Sequence, residues 1–353
     1  MENDNKKIDS YFIKNDKENK GIHKFFIFIN KISFFYLKKK KIILLILISL
    51  LFFSKKVEKE IIKFRIIKNT KICTCTPVKN ENRYIKEYVD YYKKYGVDKI
   101  FIYDNNEVDG ERLENVISEY IKKGFVEVFD YRGKVMPLYN IMNDCYQRNY
   151  QIYDWITFFE VDEHIHLSNY TNIKLYLQRD AFRNCEIIQL NWVYHTDNNL
   201  IYYDNRPLYI RFPEVEPNAR NNVNKSCNLV KSILRGHIPN VVINNVHKVT
   251  RKLKRCNGFG NPANFGDGVS TCHSDFRFYY IDHYFSKSVE EFVEKINKGD
   301  VLHGQWAKFK YYRVTTYFER NNMTLEKLNF IENHTKLNLT KFKIKIQKLS
   351  NKK

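Results

Sequence analysis

The chain has 353 residues, of which 43% are hydrophobic, enough to bury the core of one large domain or of two smaller ones. The formal net charge of +20 would suit a nucleic-acid ligand, but no base-recognition motif accompanies it, so we expect no nucleic-acid partner. The seven cysteines contain no C-x-x-C pair, which argues against a zinc ribbon or finger.

The N-terminal part of the chain changes character twice. Residues 1–24 are polar and show no periodicity, which predicts a disordered tail. The apolar run Ile42–Phe53 is shorter than the about 20 residues that span a bilayer, but flanking lysines can extend its reach. We therefore expect a membrane anchor over 25–54 and a basic connector over 55–69. The lysines before the run favour a cytoplasmic N-terminus, as in a single-pass protein of Golgi type if the source is eukaryotic.

Strands and helices alternate after the connector. The segments "KICTCTPV", "VDKIFIYD", "FVEVFDY" and "WITFFEVD" are typical of strands, and helical periodicity lies between them. This alternation predicts an α/β fold with a Rossmann-like, mostly parallel sheet and helices on both faces. Ligands of such sheets bind at the carboxyl ends of the strands. The polar strand exits Thr76–Asn80, Asp104–Asn106 and Glu160–His164 should therefore line one pocket.

The second half of the chain contains further β-like runs joined by irregular loops. These runs are "CEIIQLNWVY", "LIYYDN", "PLYIRF", "VVINNVHKV" and "FRFYYIDHYF". A helix should follow, because Ser288 and Glu291 form a capping-box pattern and Gly299 suits its end. We expect one domain over 70–303, divided into a Rossmann-like, nucleotide-binding half (70–168) and a second half (169–303). A helical and basic tail should occupy 304–353.

The segment "FFEVDEHIHL" concentrates acids and histidines. Strand alternation would place Glu160, Asp162, His164 and His166 on one side. Paired carboxylates at a strand exit suit Mg²⁺ or Mn²⁺, with phosphate oxygens completing the coordination. Three other interpretations stay open: a solvated turn, a metal-dependent hydrolase built on E-x-D-x-H-x-H, and a non-catalytic, membrane-tethered binding module.

Five segments in chain order resemble glycosyltransferase family 92 and the related family-2-like group. "FFEVDEHIHL" resembles the D-x-D-E-[FH] segment of that family. The other four are "CTPVKNENRYIKEYVDYYKKYGVDKIFIYDNN", "QLNWVYHTDNN", "VKSILRGHIPNVVINNVHKV" and "IDHYFSKSVEEFVEKINKGD". The resemblance implies a nucleotide-sugar glycosyltransferase with the type A fold and a divalent cation, in which 169–303 is the acceptor half. It also implies a hexose, plausibly galactose, moved from a UDP donor onto a glycan.

The resemblance also implies site residues. Near the nucleotide it places Thr76, Lys79, Asn80 and Glu81, with Asp104 and Asn105 at the uridine or ribose. It implies Glu160 and Asp162 as the metal-binding pair, and His283 as a late metal ligand or diphosphate contact. Glu160 stands where Asp is usual, His164 replaces the usual Phe, and "HTDN" replaces Gly-[Asp/Ser]-Asn.

The attacking acceptor hydroxyl needs a carboxylate base. We expect Asp197 in that role, with Glu163, Asp267 and Asp275 as competing candidates. Trp192 could stack on a sugar face or belong to the core, and both interpretations stay open.

Overall fold

The computed structural model describes residues 2–135, 137–216, 229–245, 248–249, 253–263, 278–299 and 307–350. The chain divides into two compact units, Met1–Arg65 and Ile66–Lys353. Asp267 and Asp275, two of the candidate bases, lie outside the described residues.

The first unit is made of one long helix, α1, which spans Glu2–Asn69. By residue number, the last four residues of α1 belong to the second unit. Residues 2–24, which the sequence predicts to be a disordered tail, form the beginning of this helix. In the part of the chain that the structure describes, we find no helix with the length and apolar character needed to cross a membrane. The predicted membrane anchor over 25–54 is therefore not supported.

The second unit is built around a nine-stranded, mostly parallel sheet. The strands are β1 (Ile72–Val78), β2 (Lys99–Asp104), β3 (Val126–Asp130), β4 (Trp155–Thr157), β5 (Glu163–Leu167), β6 (Ile187–Tyr194), β7 (Val230–Arg235), β10 (Arg255–Asn257) and β11 (Tyr279–His283). Their order is β3-β2-β1-β4-β7-β6-β11-β5, and β10 also pairs with β6. Only β5 and β7 pair antiparallel to their neighbours. A separate hairpin joins β8 (Ile243–Asn245) and β9 (Lys248–Val249).

Helices cover both faces of the sheet, as the sequence predicts. They are α2 (Asn82–Lys94), α3 (Glu114–Lys122), α4 (Leu138–Asn149), α5 (Ile173–Leu177), α6 (Leu208–Arg211) and α7 (Val289–Lys298), with a 3₁₀ turn at Asp180–Phe182. Alternate residues of β2 separate the two layers, since Ile100 and Ile102 pack with α2 and α3 while Phe101 and Tyr103 pack with α4.

The C-terminal segment is helical, with α8 (Ala307–Arg320), α9 (Leu325–Thr335) and α10 (Thr340–Ser350). These helices share an apolar cluster with α7, in which the rings of Phe292 and Tyr317 stack 4.0 Å apart. The basic tail predicted from the sequence is thus packed against the predicted last helix of the domain.

Three predictions about strands were wrong. The fourth strand ends at Thr157, and the chain turns at Glu160–Asp162 before β5 begins, instead of running straight on. The segment "PLYIRF" contains the helix α6, and "LIYYDN" contains no strand. The central antiparallel strand β7 was not predicted, although its sequence "VKSILR" belongs to one of the five family segments.

Two disulfides link buried parts of the sheet unit. Cys75 on β1 pairs with Cys145 on α4, and Cys185 pairs with Cys256 on β10. Each closes a loop of about 70 residues, so each restricts the unfolded chain strongly. Among the described residues, Cys73 is a free and buried thiol.

Candidate functional site

A polar cavity of about 210 Å³ lies at the carboxyl ends of β1 and β2. It is bordered by the loop after β1, the first turn of α2 and one side of α7. The lining residues are Asn80, Arg83, Tyr84, Glu111, Lys287, Glu291, Glu294, Lys295 and Lys298. The cavity lies at the strand ends where such sheets bind ligands, but of the three predicted strand exits only the first reaches its lining, through Asn80. Four of the nine lining side chains are cationic and three are carboxylates.

The loop after β1 is tied to α7 by lysines. Lys298 donates to the backbone oxygen of Lys79 over 2.9 Å and forms a short ion pair with Glu81. The Lys287 ammonium lies 3.7 Å from the other Glu81 oxygen and 3.8 Å from the Tyr84 ring centroid. One carboxylate thus faces two ammonium groups at the edge of the cavity.

The floor of the cavity is held by Glu291 on α7. Its carboxylate accepts two hydrogen bonds from Arg211, at 2.7 and 3.0 Å, and one from the Tyr84 hydroxyl at 2.5 Å. It also completes the predicted capping box with Ser288. Burial raises the pKa of Glu291, but the Arg211 guanidinium outweighs it, and the net shift is downward. This side chain is rigidly held and charged.

One residue, Lys295, connects the cavity to the acidic segment. It lines the cavity, and its ammonium lies 2.7 Å from Asp162 Oδ2. Burial raises the pKa of Asp162, but the nearby Lys295 and then His283 lower it by more than burial raises it. The pKa of Asp162 therefore lies well below its ordinary value. Burial likewise lowers the pKa of Lys295, against the opposing effect of Asp162.

In the structure, both members of the predicted acidic pair face lysine side chains. Glu160 lies in the turn and its Oε1 is 2.6 Å from the buried Lys231 ammonium, which also lies 3.2 Å from Glu163. Asp162 is engaged by Lys295. Across the described ranges, no three His, Cys, Asp or Glu side chains are arranged to hold a metal ion. The predicted alternation of Glu160 and Asp162 on one strand was wrong, because both lie in the turn.

The histidines of this segment do not converge with the acids either. His164 is buried and stacks on Tyr91, with ring centroids 4.2 Å apart. Burial lowers its pKa to about 4. His166 instead lies 3.5 Å from Asp282. The cluster E-x-D-x-H-x-H is thus spread over separate environments, which does not support the hydrolase interpretation.

His283 and Trp192 lie on neighbouring strands behind Asp162. The Nε2 atom of His283 is 3.7 Å from Asp162 Oδ1, and its ring centroid is 4.5 Å from that of Trp192. Trp192 is only 8% exposed and belongs to the core cluster, which favours the core interpretation over sugar stacking. Burial also lowers the pKa of His283 well below its ordinary value.

Two of the residues predicted to hold the uridine or ribose are engaged within the protein. Asp104 pairs with Arg132 and accepts two hydrogen bonds from Asn106. The Asn105 amide donates to two backbone oxygens, of Tyr131 at 2.9 Å and Lys134 at 2.8 Å. These contacts fix the loops beside the cavity. Thr76 is fully buried on β1, whereas Lys79 pairs with Glu107 at 2.8 Å.

The structure argues against Asp197 as the catalytic base. Its side chain is only 2% exposed, and its Oδ2 accepts hydrogen bonds of 2.7 Å from both Lys327 and the Tyr317 hydroxyl. The Oδ1 atom accepts from the backbone of Asn199 at 2.9 Å. Asp197 therefore joins its loop to α8 and α9 instead of facing an acceptor.

None of the four cationic residues of the cavity was predicted from the sequence. Lys295 and Lys298 are three residues apart, which places them on one face of α7. Arg83 lies one turn before Glu87 at the start of α2, and pairs with Glu294 over 2.8 Å. Helical spacing after the capping box could have identified the two α7 lysines. The ion pair between Arg83 on α2 and Glu294 on α7 joins distant parts of the chain, so no local sequence pattern predicts it.

The strand order and the polar cavity at the strand ends define a mixed α/β protein with its candidate site at the carboxyl edge of the sheet. The model of glycosyltransferase family 92 matches residues 68–320, and the chain belongs to this family. The predicted family and class are confirmed.

Relatives in the family match part of the chain. A family 92 protein of Ricinus communis is 32% identical over 117 residues, covering 32% of this chain and 19% of its own length. A family 92 protein of Oryza sativa subsp. japonica is 27% identical over 117 residues, covering 33% of this chain and 19% of its own length. The aligned part thus spans about a fifth of these relatives.

Solved structures with similarity to the chain are distant. Residues 1–349 of S. aureus TarS, in complex with UDP-GlcNAc, have a TM-score of 0.32 and 11% identity, covering 75% of this chain and 79% of that TarS chain. The mannosyltransferase PcManGT from Pyrobaculum calidifontis, in complex with GDP-Man and Mn²⁺, has a TM-score of 0.27 and 10% identity, covering 34% and 35%. We draw no inference from similarity at this level.

Proposed function

We propose that the protein is a hexosyltransferase that moves a sugar, with galactose as first candidate, from a UDP-linked donor onto a glycan. The observation that carries this proposal is the cationic cavity at the carboxyl ends of β1 and β2, within a chain of glycosyltransferase family 92. Its four cationic side chains suit the diphosphate of a nucleotide sugar.

The reaction places a specific electrostatic demand on this cavity. The acceptor oxygen forms a bond to the anomeric carbon as the bond from that carbon to the diphosphate breaks. The electron pair stays on the departing nucleoside diphosphate, and the acceptor proton is released to a base. Cationic groups fixed beside the diphosphate stabilise the charge that develops on it.

The fixed geometry of the cavity supports this role. Lys287, Lys295 and Lys298 are each 15% exposed or less, and each is held by a carboxylate of the protein. Glu291 and Arg211 lock the start of α7 beneath them. Preorganised cations need no reorganisation as the diphosphate leaves.

We also propose that the enzyme works in an oxidising compartment. Two buried disulfides, Cys75–Cys145 and Cys185–Cys256, support this, because such bonds persist in secretory and other oxidising environments. The proposal would fail if mass spectrometry of protein from its native source showed these cysteines reduced.

A donor screen tests the proposed transfer. The full chain is incubated with UDP- and GDP-linked hexoses and a mixture of glycans, and nucleoside diphosphate release is measured. Release that needs both a sugar nucleotide and an acceptor supports transfer. Phosphoester cleavage without a sugar nucleotide would instead favour the hydrolase. Sugar-nucleotide binding without turnover against any acceptor would favour the binding module.

A further inference from the structure

The carboxylates predicted to hold a metal ion each face a lysine. Lys231 lies 2.6 Å from Glu160, and Lys295 lies 2.7 Å from Asp162. Both lysines are largely withdrawn from solvent, at 3% and 15% exposure. A dication at Asp162 would lie beside the buried Lys295 ammonium, and one at Glu160, whose side chain is 43% exposed, would lie beside the Lys231 ammonium. Both placements are electrostatically costly.

The position of Lys295 makes it more than a partner of Asp162. It also lines the cavity, together with Lys287 and Lys298. In many phosphate sites a metal ion joins the protein carboxylate to the ligand's phosphate oxygens. Here the Lys295 ammonium stands between Asp162 and the cavity, with three donor hydrogens to share between them.

The cavity lining also carries three carboxylates, of which Glu291 and Glu294 are engaged by Arg211 and Arg83. The Lys287 ammonium lies 3.7 Å from one oxygen of Glu81, and Lys298 forms a short ion pair with the other. Two lysines thus share one carboxylate. The second oxygen of Glu81 is buried and accepts no hydrogen bond from the described residues. The Lys298 ammonium uses two of its three donor hydrogens on Lys79 and Glu81, which leaves one for a phosphate oxygen in the cavity.

From this geometry, and given the proposed transferase function, we propose that three lysines bind the donor diphosphate and neutralise its departing charge without a divalent cation. These residues are Lys287, Lys295 and Lys298. When the sugar bond breaks, the electron pair remains on the diphosphate oxygen, and the ammonium groups stabilise it there. Asp162 positions Lys295 and does not contact the ligand.

Titration calorimetry of the full chain tests this proposal, with UDP as the probe and UMP as the control ligand. UDP should bind with a Kd that changes less than about twofold between EDTA and Mn²⁺. Lys298→Met should weaken UDP binding about tenfold, the effect of losing one charged hydrogen bond, and UMP binding less than threefold. Lys123→Met, at an exposed lysine directly after α3, is the matched control and should change neither.

Lys295→Arg serves as a second variant, because it keeps the charge beside Asp162 and avoids the folding defect expected from a neutral residue. It should bind UDP within about fivefold of the parent, again in EDTA. Binding of UDP only when Mn²⁺ is present would overturn the lysine proposal but leave the transferase intact. Absence of UDP and GDP binding under both conditions would instead count against the proposed function itself.

Discussion

Replacing Asp197 by asparagine should lower the free energy of unfolding by about 3 kcal/mol and leave turnover by the folded enzyme nearly unchanged. The Asp197 and Lys327 side chains are 2% and 3% exposed, and their charged atoms lie 2.7 Å apart. Removing one partner of a buried ion pair costs about 3–5 kcal/mol. We expect the lower end, because Lys327 also donates to the backbone oxygen of Asn322 at 2.8 Å and to Asn199 at 3.2 Å.

Urea denaturation followed by circular dichroism measures the stability change. Release of nucleoside diphosphate, per mole of folded protein, measures turnover. The matched control is the double variant Asp197→Asn/Lys327→Met, which removes both charges, keeps a side-chain oxygen for Tyr317 or Asn199, and should recover most of the lost stability. A loss of about a thousandfold in turnover with unchanged stability would refute this reasoning, because it would restore Asp197 as the general base.

Three further predictions concern stability. Burial holds the pKa of His164 at about 4, so the unfolded chain binds a proton there before the folded protein does as the pH falls. The free energy of unfolding should therefore fall by up to ~3 kcal/mol from pH 6.5 to 4. His164→Phe should flatten this slope in urea titrations, and equal slopes for the variant and the parent would contradict the prediction. Cys145→Ser should lower the free energy of unfolding by about 4 kcal/mol in urea titrations, and an unchanged midpoint would argue against the Cys75–Cys145 bond. Ser288→Ala should lower the free energy of unfolding by about 1 kcal/mol, and Ser288→Thr should lower it less, because only alanine removes the hydroxyl that caps α7. Equal losses for the two variants in urea titrations would contradict a capping role.

The fold was predictable where its signals are local. Strands β1–β3 end at a polar residue or directly before one, and α2 ends two residues before Gly96, whose φ of +89° few other residues adopt. The capping box of α7 is also a short-range pattern, and the structure has it where the sequence predicts it.

The turn after β4 was not predictable from periodicity. The sequence "FFEVD" alternates like a strand, yet Glu163 accepts a hydrogen bond of 2.9 Å from the Glu160 backbone and closes a turn. The Tyr88 hydroxyl on α2 donates to the backbone oxygen of Phe159 at 2.9 Å, which fixes the residue that precedes the turn. Such tertiary contacts override the β-propensity of the segment.

The composition of the site depended on contacts across long stretches of chain. Lys295 reaches Asp162 from 133 residues away, and Lys327 reaches Asp197 from 130. A carboxylate that awaits a metal and one that is paired with a distant lysine look alike in sequence. The family resemblance located the carboxylates, and only the fold revealed their partners.

Hydrogen exchange with mass spectrometry tests most directly whether the cavity holds the donor. The full chain is compared with and without a saturating UDP-linked hexose, with UMP as the reference ligand. We predict slower exchange in residues 79–84 and 287–298, which border the cavity, beyond any change that UMP produces. Protection confined to other segments, with these two unchanged, would contradict the proposed donor site.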